Sequence, residues 1–261
     1  MTVWVSAWLH GSAAADDVLD ALVPWAELHE VVAADELTAA LFDLPLPPDL
    51  PCSPAMLLGA VRRAGGSTAR LILPVSGDMR GLAPGGQRQG SFGWDALHAG
   101  QGVLVSGADI GVVPSNVAEG VIRWTVHRIG MNPNGTAEHG LTEAEHALRS
   151  AVRDAAATLS ALDIARHRPE VRDQIADTLA ARPRPPWPTG TPGRVLRVLE
   201  NADEVMAILA AAAGDDGASV SASEARARTD ALRPLAAAVR AARLAAVAEA
   251  VRVLTDRAGR H

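Results

Sequence analysis

Arg70-Leu71-Ile72-Leu73-Pro74-Val75-Ser76-Gly77-Asp78-Met79-Arg80 is a short apolar run that stops at a proline and opens into a Gly-Asp-Arg turn. Residues 70–75 are apolar at nearly every position rather than every second one. That pattern predicts a strand buried on both faces. Ser76-Gly77-Asp78 supplies turn residues. In α/β proteins a buried strand that empties into a polar loop is where ligands collect.

Upstream, Val3 to Leu9 (VWVSAWL) predicts a first strand, with Val3, Val5, Ala7 and Leu9 on one face and Trp4 and Trp8 on the other. Ser12 is positioned to cap a helix whose first turn holds Asp16 and Asp17. Leu28 to Val32 reads as a second strand. Asp35 starts a helix bearing Leu37, Leu41 and Phe42, and Ser53-Pro54 starts another that Gly65-Gly66 ends. The first third therefore reads βαβααβ.

From Ala83 onward a Gly- and Gln-rich loop, APGGQRQGSFG, gives way to closely spaced strand-like segments: Phe92 to Leu97, Gly102 to Ser106, Ile110 to Val113 and Val121 to Ile129. Short links permit antiparallel pairing and helical crossovers permit parallel pairing, so a mixed sheet follows. After the turn-rich stretch 130–140 every segment has helical periodicity. Thr142-Glu143-Ala144-Glu145 fits a capping box. Leu148, Val152, Ala155 and Leu159 give one stripe, and Val195, Leu199, Ala202, Met206 and Leu209 a second. Leu232, Leu235, Val239, Ala242 and Ala246 make a third, which Pro234 should split or kink. The expected architecture is α/β (or α+β): a mixed-sheet domain over 1–135, then a helical bundle or hairpin set over 136–261 with a Pro-rich linker at 182–193.

Composition narrows the chemistry. All 24 basic residues of the 261 are Arg, and there is no Tyr. A P-loop lysine, a Schiff base, a Ser-Lys pair and a tyrosine acid are thereby excluded. Cys52 is the single cysteine, so no internal disulfide forms. No stretch is long and apolar enough to span a bilayer, and no signal-peptide pattern opens the chain, so a soluble cytoplasmic protein with no membrane attachment is expected. Residues 1–130 hold 7 Arg against 13 acids, whereas 131–261 hold 17 of each. The acidic half is a poor binder of a phosphate backbone.

If the segments at 3–9 and 70–75 were parallel strands, their exits would share one rim. His10, Ser12, Ser76, Asp78 and Arg80 would then line a crevice for a small anion, with Arg80 forking onto a phosphate or carboxylate. The plainer interpretation of each residue is a cap, a turn or a rim residue. His139, Glu143 and His146 have helical spacing for a metal, but Gly140 places the helix start after His139, so no metal and no cofactor is expected. Cys52 precedes a helix start, where a thiolate is stabilised, yet a small packed residue is the simpler role. The loop Gly85-Gly86-Gln87-Arg88-Gln89-Gly90 matches no nucleotide fingerprint. Arg182 to Pro188 fits a polyproline-ligand pattern and equally a stiff spacer with Trp187 packed on a neighbour. Arg226, Arg228, Arg233, Arg240, Arg243 and Arg252 offer a basic helical face, but without aromatic residues to stack bases a solvated surface is expected.

The leading expectation is a non-catalytic protein that binds a protein partner or small ligand, with the helices as its interaction surface. A homodimer through the Ala-rich helices is one form of that. An enzyme acting on a small anionic substrate at the His10/Asp78/Arg80 rim is the alternative, and a nucleic-acid-associated protein is the third.

Overall fold

The structure, a computed structural model, describes residues 1–79, 81–82, 88–130, 140–161, 169–181, 183, 185–213 and 222–259. Its first half contains helices α1 (Thr2–Leu9), α2 (Ala15–Asp20), α3 (Glu36–Phe42), α4 (Pro54–Arg63) and α5 (Phe92–Ala99). The strands are β1 (Leu28–Ala33), β2 (Thr68–Ile72), β3 (Gly102–Ser106), β4 (Ile110–Ala118) and β5 (Val121–Arg128). Helices α6 (Leu141–Ala161), α7 (Pro169–Ala180), α8 (Gly193–Ala213) and α9 (Ala222–Ala258) complete it. The described residues form two compact units, one from 1–136, 183–191 and 250–261, the other from 137–182 and 192–249.

The first unit is built on one five-stranded mixed sheet of order β1-β5-β4-β3-β2. β1 and β5 are parallel, and every other pairing is antiparallel. On one face Val31, Ala33, Val103, Val105, Ile110, Val112, Trp124 and Val126 meet side chains of α1, α2 and α4 in the main core. On the opposite face a smaller cluster gathers Ile72, Leu104 and Val113 under Phe92 and Ala96 of α5. Gly111 makes that contact possible, because a Cβ there would stand 2.5 Å from the Phe92 ring.

Val3 to Leu9 is helix, not strand. Thr2, Val3, Val5, Ser6, Ala7 and Trp8 are all buried. A helix wrapped by protein on every side has no polar face, so it carries no 3.6-residue signal, and its Val and Trp residues then mimic a strand. Its position explains its burial. Ser6, 1 % exposed, accepts the Ala69 N–H at 3.0 Å and donates to the Ala69 carbonyl at 3.3 Å. One hydroxyl thus satisfies both main-chain groups of a residue on the outer edge of β2, where another strand would otherwise add. The far edge is closed differently. Val31 and Cys52 exchange main-chain hydrogen bonds, and the Ala33 N–H donates to Pro45, so the Pro-rich loop runs along β1.

Further expectations change in detail. β2 spans Thr68–Ile72 and is an edge strand with only Ala69 and Ile72 buried, not a central strand covered on both faces. Phe92 to Leu97 is α5. The Ser91 side chain accepts the Trp94 N–H, and left-handed Gly100 ends the helix. Ser12 does not cap α2. Its N–H bonds back to Ala7, while the Asp17 carboxylate accepts the Ala14 N–H at 2.7 Å. Thr142 lies inside α6, whose first turn bonds to Gly140, and Glu145 turns to Arg149 and Arg194 instead of reaching back. α9 runs unbroken through Pro234.

In the second unit α8 packs on α6 and α7. Ala144, Leu148, Ala155, Val195, Ala202, Val239, Ala242 and Ala246 are buried there, while Val152 of the predicted stripe is exposed. The Pro-rich stretch joins the first unit: the Trp4 indole donates to the Pro186 carbonyl at 2.9 Å, and Arg257 donates to the Gly190 carbonyl at 2.8 Å. Trp187 is 37 % exposed. Arg182 and Arg184 lie outside the described residues.

Ser6→Ala keeps the packing of α1 and removes only the hydroxyl. The Ala69 N–H and C=O are then buried without partners, which costs about 1–3 kcal/mol. Urea unfolding of the variant should show that loss; a change under about 0.5 kcal/mol is the size of an ordinary surface effect and would mean the bridge is dispensable.

Candidate functional site

The β4–β5 hairpin and the 3-10 turn Val23–Trp25 enclose a cleft of ≈ 520 Å³, open to solvent. Trp25, Ala26, Asn116, Val117, Glu119 and Ile122 are among its lining residues. Its apolar members are accessible: Trp25 is 48 % exposed and Val117 44 %. Next to them Leu28 is 51 % exposed, and its N–H is tied to the Gly120 carbonyl at the hairpin turn. The left-handed φ of Gly120, 68°, lets the turn close with its carbonyl toward β1. A register shift between Asn116 and Ala118 adds a bulge beside it, which twists the hairpin tip.

A polar chain links β5 and β1 to the segment that leads into Trp25. The Trp124 indole donates to His29 Nδ1 at 3.1 Å, and His29 Nε2 lies 2.9 Å from the Leu22 carbonyl. An indole only donates, so Nδ1 accepts and Nε2 carries the hydrogen given to Leu22. Leu22 immediately precedes the turn that holds Trp25. The position of Trp25 is therefore set through a buried strand residue, not by the loop alone. Across the sheet Arg123 donates through Nε and Nη2 to Glu30, which neutralises the charge on that side.

A second polar cluster lies beneath α5. His127, 3 % exposed, places Nε2 3.1 Å from Asp95 Oδ2. The pair is off the line of a hydrogen bond, so the contact is electrostatic. The Phe92 ring meets the imidazole edge-on, with centroids 5.8 Å apart. Asp35 acts on the same imidazole from the start of α3. There the Thr38 N–H holds the Asp35 carboxyl below its ordinary range, and Thr38 Oγ1 in turn accepts the Arg128 N–H. Burial lowers the His127 pKa, against the opposing pull of Asp95 and Asp35. The enclosed imidazole joins α5 to the sheet. Nothing in the sequence marked it, since His127 is one residue in an alternating strand.

The five residues expected at a common rim lose the reason for their convergence, because no strand leads to His10. Ser6 meets Ala69 and the Arg62 guanidinium sits 4.1 Å above the Trp8 ring, so α1 runs toward the start of β2. His10 and Ser12 follow that end, whereas Ser76 and Asp78 follow the other. Val75 and Asp78 exchange main-chain hydrogen bonds around Ser76 and left-handed Gly77, which makes them a tight turn. Arg80 lies outside the described residues, as do His139 and residues 83–87 of the Gly-rich loop. Among the described residues no group of three or more His, Cys, Asp or Glu could hold a metal ion. Burial pushes the Cys52 thiol pKa up, which works against a thiolate, and its Sγ lies 3.6 Å from the Val31 carbonyl. On the helices Arg233, Arg243 and Arg252 pair with Asp230, Asp203 and Asp256, as charges on a solvated surface do.

Fold and surface together define a two-part protein: a five-stranded mixed-sheet domain with helices, then a helical domain. The chain belongs to the Rv1486c-like protein family, whose N-terminal domain profile matches residues 1–139 and whose C-terminal domain profile matches 142–244. It is 40 % identical over 281 aligned residues to the uncharacterised protein Rv1486c of Mycobacterium tuberculosis, covering 95 % of this chain and 94 % of that one. Uncharacterised proteins of Mycobacterium avium and Mycobacterium leprae are 35 % and 34 % identical at the same coverage. No solved structure matches.

The enclosure of His127 gives a pH dependence with a definite sign. Its folded-state pKa is lowered, so below the ordinary imidazole value of about 6.5 the unfolded chain takes up more protons than the folded one. Stability should be full above that value and fall as the pH drops toward the folded-state pKa. Urea unfolding of the wild type and of His127→Leu between neutral pH and pH 5 isolates the contribution. The wild type should lose more stability than the variant; equal losses would show that the site does not titrate as described.

Proposed function

We infer that this is a non-catalytic, cytoplasmic binding protein whose interaction surface lies at the hairpin cleft of the N-terminal domain. The observation that carries this is the accessible apolar group of Trp25, Leu28 and Val117 around a concave surface. Accessible large apolar side chains that cluster at a cleft mark interaction sites more often than scattered ones do. Among the described residues, eight of the eleven exposed large apolar side chains lie on the N-terminal domain, and the helices α6 to α9 expose only Val152 and Ile208. The weight of the surface therefore favours the sheet domain over the helices as the place where a partner sits.

The enzyme alternative required a strand leading to His10, and that segment is helix α1, so it has less support than the binding reading. The single cysteine, which permits no internal disulfide, supports the cytoplasmic reading. Among the described residues no helix is long and apolar enough to cross a membrane.

A photo-crosslinking amino acid at position 117, in cells that express the protein, should give a discrete adduct that weakens when Trp25 is replaced by Ala. If the yield only equals that of the same probe at exposed Glu204 on α8, the hairpin cleft is not where the protein binds.

A further inference from the structure

The cleft has a charge as well as a shape, and the charge specifies an occupant. Trp25 forms part of its wall, and two glutamates flank the hairpin turn beside it. Glu119 lines the cleft. The Glu27 carboxylate lies 3.6 Å from where a Cβ on Gly120 would stand, which sets it against the same turn. Both glutamates are exposed. Four other acids of this domain have partners near at hand: Glu30 with Arg123, Asp95 with His127, Asp17 with the Ala14 N–H and Asp35 with the Thr38 N–H. Glu27 and Glu119 have neither an ion pair nor a hydrogen bond among the described residues.

Resting on the binding role inferred above, we propose that the cleft receives an arginine side chain presented by a segment of a partner protein. A guanidinium is flat and weakly hydrated. It can stack on an indole face while its N–H fork reaches a carboxylate in the plane of the stack. Asn116 also lines the cleft, and its amide oxygen can accept from the N–H groups that remain. An ammonium is a compact, strongly hydrated charge and makes the stack less well. The first 130 residues carry 13 acids against 7 Arg, so a cationic segment is also drawn toward this half of the chain. A segment is favoured over free arginine because Val117 and Leu28, beside the charged turn, stay wet unless apolar neighbours of the arginine cover them.

The test uses the full-length, ¹⁵N-labelled protein and three blocked tripeptides: acetyl-Leu-Arg-Val-amide, its citrulline counterpart and its lysine counterpart. The readouts are the Trp25 indole and Gly120 amide resonances. The arginine peptide should move both saturably, with millimolar affinity that falls as salt is added. Glu27→Gln and Glu119→Gln should each weaken it about two- to fivefold, the size of an exposed ion pair. Trp25→Ala, read at Gly120, should weaken it at least as much. These side chains are exposed, and the dispersion of the remaining resonances verifies that each variant folds. Equal binding of the citrulline peptide would overturn the proposal while leaving the cleft a binding surface. Equal binding of the lysine peptide would overturn the choice of guanidinium. No saturable shift with any peptide at about 10 mM would overturn the proposal outright, and the crosslinking yield at position 117 would then decide separately whether the cleft binds anything.

Discussion

A single hydroxyl, that of Ser6, satisfies both main-chain groups of Ala69 on the edge strand β2. An open five-stranded sheet has two lateral edges, and each is a row of main-chain donors and acceptors that invites another strand. Here Ala69 on β2 is satisfied from α1, and Val31 and Ala33 on β1 are satisfied by the loop that carries Pro45 and Cys52. With both edges engaged by the chain itself, strand addition from outside has little to pair with. What the sheet still offers to a partner is its hairpin end, where β4 and β5 extend to Ala118 and Val121 and the side chains become exposed.

That end is not loosely held. Trp124 points into the main core and ties its indole to His29, which in turn reaches the carbonyl of Leu22. Trp25 follows three residues later. A buried side chain on β5 is thus linked through two hydrogen bonds to the segment that carries the exposed tryptophan of the cleft. Such pre-positioning lowers the ordering cost of binding, because the aromatic wall is already in place. The acids around it are exposed and the nearby Arg123 is engaged by Glu30, so the local field stays negative. At the other end of β5, His127 serves packing. It lies under Phe92 and near two carboxylates, and it joins α5 to the sheet.

Much of the architecture was legible in the residues. β1, β3, β4 and β5 announce themselves by runs of Val and Ile between turn residues, and α3 and α4 by Asp35 and by Ser53-Pro54. The mixed sheet followed by helices was likewise readable. The misreadings have physical causes. α1 is buried all round, which erases the helical period and leaves only β-prone residue types. α5 is short and begins with Phe-Gly-Trp, so its two caps, Ser91 and Gly100, were its only signature. The argument for the candidate rim falls with α1, because it required a strand where the chain forms a helix. The hairpin cleft could not be found from spacing, since Trp25 and Glu119 are brought together by the β1–β5 pairing, and Leu28 meets Val121 only in the folded sheet. The local sequence of His127 likewise says nothing of Asp35 or Asp95.

Amide hydrogen exchange tests most directly the claim that the chain seals its own edges and leaves the hairpin end for contact. The amides of Ala69, Val31, Ala33 and Cys52 should exchange slowly, as groups bonded in the core do, while those of Val117 and Glu119 exchange quickly. If Ala69 exchanged as fast as the hairpin tip, the edge of β2 would be open, and the surface available to a partner would lie along that strand rather than at the cleft.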